Sequence, residues 1–118
     1  QTCALPICIG YGSTYVTPEP MTIATIPVGY ADGYPRSLSN RGTVLIHGTR
    51  CPVVGRICMD QFMVAVPDTI TVQPGDKVVL LGSQGHESIS ALEIAALAST
   101  IPYEIFCGFS ERVPRQYI

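Results

Sequence analysis

The sequence contains no tryptophan and a single lysine, Lys77, and charged side chains make up only 14% of its 118 residues. Each shortage excludes something. A formal net charge of −2 leaves no basic stripe for a phosphate backbone, so nucleic acid is not an expected ligand. No apolar run approaches the ~20 residues needed to cross a bilayer, and the first residues lack the charged-then-apolar pattern of a signal peptide. A cytoplasmic protein is the expectation. The five cysteines form no CxxC pair and have only two histidines to join them, so buried free thiols are expected rather than a metal centre. No GxSxG elbow, Walker loop, HExxH or GxGxxG is present, and no self-contained catalytic machine is visible. Lys77 follows Gly75-Asp76 at what reads as the exposed start of a strand, a poor setting for a Schiff-base lysine, which needs a desolvated pocket.

What is present is a chain long enough for one core, 47% hydrophobic, with a surface so poor in charge that some apolar face calls for a cover. Short runs rich in Val, Ile and Thr alternate with Gly, Pro, Asn and Asp. They predict strands near residues 13–17, 22–30, 43–47, 51–58, 61–66, 77–82, 103–109 and 112–117. Turns are expected at Asp32-Gly33 with Pro35, at Asn40-Arg41-Gly42, at His47-Gly48 and at Pro74-Gly75-Asp76. One segment changes period: Ile89, Leu92, Ile94 and Leu97 recur at helical spacing, Ser88 or Ser90 can cap them, and Pro102 blocks continuation. The fold class expected is therefore mainly β, a small closed Greek-key-type β-barrel with one short helix at about residues 90–98. Residues 1–8 fit neither a strand nor a helix period and are expected to be a non-native or disordered leader, with the domain proper at residues 9–118.

Chemistry-bearing residues cluster at glycine-flanked turns. Tyr11 stands in Gly10-Tyr11-Gly12, where the phenol is left clear or packs over a barrel rim. Tyr30 and Tyr34 bracket Ala31-Asp32-Gly33, followed by Pro35 and Arg36; ordinary turn stabilisation accounts for part of that pattern. Gly55-Arg56-Ile57-Cys58-Met59-Asp60-Gln61 places a guanidinium and a carboxylate in an otherwise apolar strand pair, as ion-paired scaffold or as an anion contact.

These segments, in the order Ile9-Gly10-Tyr11-Gly12-Ser13-Thr14-Tyr15, Ile26-Pro27-Val28-Gly29-Tyr30-Ala31-Asp32-Gly33-Tyr34-Pro35-Arg36, Gly55 to Gln61, and Arg112-Val113-Pro114-Arg115, resemble the C-terminal domain of alanine racemase. The resemblance implies a pyridoxal 5′-phosphate enzyme interconverting L- and D-alanine for cell-wall precursors. Its cofactor lysine lies on an N-terminal (β/α)₈ barrel that is not in this sequence, and its head-to-tail homodimer lets this domain cap the partner's barrel. By the same resemblance Tyr11 is the catalytic tyrosine and Tyr30 stands at the substrate entrance. Arg36 and Arg56 line the corridor, the Met59 backbone N–H meets the substrate carboxylate, and Asp60 shapes that turn. Glu111 departs from the pattern, because some relatives place a phosphate-contacting tyrosine before the RVPR segment and a carboxylate would repel the phosphate. A racemase of serine or broader specificity, and a non-catalytic dimerisation or interaction barrel, remain the alternatives. The chain by itself is expected neither to racemise alanine nor to take up the cofactor covalently. Appearance of a borohydride-reducible lysine adduct that vanishes in Lys77→Ala would contradict this.

Overall fold

The computed structural model describes residues 21–116 together with the strand pieces Thr2–Cys3, Cys8–Ile9 and Tyr15–Val16. Those three pieces are β1, β2 and β3; then follow β4 (Met21–Ile26), β5 (Thr43–Ile46), β6 (Thr49–Val54), β7 (Phe62–Val66) and β8 (Val78–Val79). A hairpin of β9 (Gly82–Gln84) and β10 (Glu87–Ile89) leads into α1 (Ala91–Leu97) and α2 (Pro102–Cys107). The principal sheet runs β1-β4-β7-β6-β5-β8, with every neighbouring pair antiparallel.

Strand β7 shows why the sheet forms. Its burial alternates, with Phe62, Val64 and Val66 buried between half-buried Met63 and Ala65, the period of two that places successive side chains on opposite faces. Ile26, Val53, Phe62 and Val64 point into the main core with Leu38, Leu45 and Ile57. Ile23 and Val54 form a second apolar cluster with Met21, Met63 and Ala65. Tyr34 stacks on Phe62 with ring centroids 4.7 Å apart. Burial, followed by the charge of Glu93, pushes the Tyr34 phenol far above its ordinary range. The β5–β6 turn uses His47 and Gly48, both at positive φ (52° and 71°), the geometry that matches the twist of a hairpin.

Strand β6 changes partner along its length. Thr49 to Pro52 pair with β5, and Val53 and Val54 pair with β7, so the change falls immediately after a residue that has no N–H to donate. The described residues form a curled half-barrel sheet, and closure into the barrel expected is not shown among them. Among the described residues β1 and β8 are edges, and β8 ends after two residues where the chain turns into the β9–β10 hairpin. Short edges offer little template for foreign pairing, so closure is not the only way to protect such a sheet.

The helix expected at 90–98 is α1, capped by the Ser90 side chain accepting from the Glu93 N–H at 3.1 Å. Two strand expectations fail. Residues 103–109 lie mostly in α2, where Pro102 occupies the first turn with its φ preset for helix, Ile105 alone is buried, and Gly108 caps the end. Over residues 112–116 there is no strand, because that segment is held by turn bonds such as Val113 N–H to Ser110 O (3.2 Å). The thiols also divide: Cys51 is buried, Cys58 half-buried and Cys107 exposed, the last against expectation because it lies on the open side of α2. No helix among the described residues is long and apolar enough to cross a membrane.

Arg50 clamps the periphery to the sheet, bonding Glu87 (3.0 Å), Glu93 (2.8 Å) and the Ser88 carbonyl (2.7 Å). The Arg50 hydrogen bond holds the Glu93 carboxyl below its ordinary 4.5. Asp76 is likewise held below 3.8, first by the Gln73 N–H and then by His47. A carboxyl depressed in the folded state adds stability that is fully present above its ordinary value and is lost as pH falls through the lower folded one. Stability in urea should therefore decline on acidification below about pH 4.5, and Arg50→Ala should remove the Glu93 share. Both are read from denaturation midpoints across pH; an acid limb identical in Arg50→Ala would contradict the clamp.

Candidate functional site

After β4 the chain turns through Pro27-Val28-Gly29 into a 3₁₀ turn at Tyr30–Asp32, and this turn lies against the β6–β7 loop. The Tyr30 N–H donates to the Cys58 carbonyl (3.0 Å) and the Ala31 N–H to the Met59 carbonyl (2.9 Å). Two backbones can approach this closely only because residue 29 lacks a side chain: a Cβ there would lie 2.2 Å from the Cys58 oxygen and 2.4 Å from the Met59 carbonyl carbon. Gly29 is extended (φ −149°), so space and not backbone conformation demands glycine. Gly33 meets both demands, with φ 109° and a Cβ position 2.4 Å from the Gly108 oxygen.

The β6–β7 loop is closed by the Cys58 N–H donating to Gln61 O at 2.9 Å, which projects Met59 and Asp60 outward. Both are exposed, Met59 at 54%. Among the described residues the Met59 N–H has no acceptor. Tyr30, 45% exposed, shares with Arg36, Ile57, Cys58 and Met59 a crevice of about 300 Å³. Arg36 also lines the neighbouring crevice of about 310 Å³ with Ser37, Ser39 and Arg56. Among the described residues neither Arg36 nor Arg56 has an acidic partner, so two guanidinium groups face solvent beside an open peptide N–H, an arrangement suited to a small anion such as a carboxylate.

Arg56 is fixed from both sides by residues to which sequence reasoning gave no site role. The Asn40 side chain, on a residue at φ 59°, accepts from the Gly55 N–H at 2.7 Å. The Ser39 hydroxyl accepts from the Ile57 N–H (2.9 Å) and donates to the Arg36 carbonyl (2.7 Å), tying the two arginine-bearing segments together. The Asn40-Arg41-Gly42 turn signal was visible in the sequence; that the Asn40 side chain holds the Gly55 amide just past β6 was not. Tyr34, paired with Tyr30 by the sequence, is instead a core residue. The mistaken strand over 103–109 also hid Tyr103, which stands 78% exposed on α2, next to the Glu104 that lines a crevice with Gly33, Pro35 and Ser37.

Of the expected site residues, Tyr30, Arg36, Arg56 and Met59 line two crevices that share Arg36, Asp60 is exposed beside Met59, and Tyr11 lies outside the described residues. Glu111 is exposed. Lys77 is exposed in the loop before β8 and does not provide the desolvated lysine that a covalently held pyridoxal phosphate needs, so these residues do not fit as that cofactor's anchor.

The family model for the alanine racemase C-terminal domain matches residues 5–117. The alanine racemase of Symbiobacterium thermophilum is 64% identical over 109 residues, 92% of this chain and 29% of the relative. The alanine racemase of E. faecalis superposes with a TM-score of 0.94 at 44% identity over all of this chain and 31% of its own. That of Bartonella henselae, solved with covalently bound pyridoxal phosphate, gives 0.92 at 39% identity over all of this chain and 32% of its own. The chain thus spans under a third of the length of these relatives.

Because Gly29 makes room for the Cys58–Met59 peptide, Gly29→Ala should break both rim hydrogen bonds and destabilise the domain by roughly 1–3 kcal/mol, the usual cost of overpacking. An unchanged urea midpoint would show that the junction tolerates a methyl group.

Proposed function

The chain belongs to the alanine racemase C-terminal domain family, and on that premise we propose that it supplies the substrate-recognising rim and one acid/base group of a pyridoxal-phosphate racemase interconverting L- and D-alanine. The observation that carries this reading is the convergence of the open Met59 N–H, Tyr30 and two guanidinium groups without acidic partners on adjoining crevices. The Met59 N–H binds the substrate carboxylate and Asp60 shapes the turn presenting it. Tyr30 narrows the entrance, and Arg36 and Arg56 attract small zwitterions along the approach. The cofactor is held by an N-terminal barrel domain, consistent with the exposure of Lys77. The rim faces that barrel in the second subunit of a head-to-tail homodimer, in the cytoplasm.

Tyr11 is the acid/base group. Racemisation requires the α-proton to leave from one side of the substrate and return on the other, so two groups on opposite faces are needed. A phenol ordinarily titrates near 10, so its environment in the assembled site must favour the phenolate.

In the full-length enzyme Tyr11→Phe keeps the ring and deletes the only atom able to carry the proton. Racemisation should fall by ~10² to 10⁴. Exchange of the α-hydrogen with solvent deuterium should slow far more from L-alanine than from D-alanine, whose proton is reached from the other face. Wild-type exchange of both enantiomers would remove Tyr11 from the mechanism.

A further inference from the structure

We propose that Asp32 is the positioning residue of the rim, holding Tyr30 and the Met59 peptide in register with the C-terminal segment; its consequence for substrate rests on the racemase reading. The Asp32 carboxylate is largely withdrawn from solvent, its side chain 13% exposed, and its two oxygens have different tasks. Oδ2 accepts from the Gly29 N–H at 2.9 Å, the residue whose missing side chain admits the Cys58–Met59 peptide. Oδ1 pairs with the Arg112 guanidinium at 3.2 Å, and the Asp32 carbonyl accepts from the Ser110 N–H at 3.2 Å. One residue therefore bonds both the entry to the Tyr30 turn and the segment of Ser110 and Arg112.

A turn-stabilising aspartate would need only the local bond to Gly29. The pair with Arg112 reaches residues far along the chain, and that segment is itself braced: Arg115 donates to Phe109 O at 3.1 Å, and the Phe109 Cα lies 2.8 Å from where a Gly33 Cβ would stand. Displacement of residues 110–115 is thus transmitted through Asp32 to the Gly29 peptide, and from there to the Tyr30–Cys58 and Ala31–Met59 bonds. The carboxylate touches no reacting atom. It sets where the substrate-binding groups stand.

Such a residue should act on KM more than on kcat. In the full-length enzyme Asp32→Ala should raise KM for alanine by about tenfold or more while kcat changes far less. Asp32→Asn retains an oxygen for the Gly29 N–H and should restore part of the loss. Arg112→Ala should resemble Asp32→Asn, and combining the two should add nothing, the mark of a single shared interaction. Hydrogen exchange gives a readout independent of activity: amides of residues 29–31 should exchange faster in Asp32→Ala while those of β7 keep their protection. An unchanged KM, equal damage to KM and kcat, additive losses in the double variant, or uniform loss of protection across the sheet would each overturn the proposal. A wild-type enzyme without alanine racemisation would instead defeat the functional reading, and the exchange pattern would still decide the role of Asp32.

Discussion

The rim exists because two peptide planes touch. Gly29 lies so near the Cys58–Met59 peptide that no side chain fits between, and the Tyr30 and Ala31 amides use that proximity to bond the facing carbonyls. Those donors and acceptors are main-chain groups, which every residue carries, so the contact's specificity comes from the absence of a side chain at position 29. The other features of the rim follow from it. Tyr30 is placed beside Met59, the Met59 carbonyl is occupied while its N–H stays open, and Asp32 secures the Gly29 amide from behind.

Beneath the rim, the main core supplies rigidity without supplying chemistry. Tyr34 follows directly after Gly33, yet its ring lies flat on Phe62 and its hydroxyl is too strongly disfavoured as an anion to serve as a base near neutrality. Tyr30, four residues earlier, is half exposed. Two tyrosines in one short segment thus take opposite roles, decided by which side of the 3₁₀ turn each falls on.

The sequence carried most of the sheet because strands announce themselves by period: β5 and β7 fall within a residue of the expected bounds, and α1 was marked by its apolar spacing and by Ser90. It misled at α2, where Tyr, Ile and Phe in close succession read as β-formers. In a helix this short the period has no room to show, and the one local clue, a proline at the first position, was taken as the end of the previous helix. The β9–β10 hairpin was missed because residues 82–89 are polar and only Ile89 is buried. Tyr30, Arg36, Arg56 and Met59 were singled out through family motifs, and they line two adjoining crevices, with Asp60 exposed beside Met59. Ser39 and Asn40 were not legible as supports of that rim, since a hydrogen bond between distant segments leaves no trace in local composition.

The partner change along β6 bears on the order in which the rim can be assembled. β6 joins β5 and β7 through short connections, so those pairings close small loops at modest entropic cost. The pairing of β4 with β7 is different, because Ile26 opposite Phe62 encloses the whole stretch that contains Tyr30, Arg36, Arg56 and Met59. That large loop is closed only when β4 docks, which places the rim among the slowly formed, non-local parts of the domain. The rim therefore does not preexist in a local fragment: chains in which β4 has not yet paired with β7 lack it.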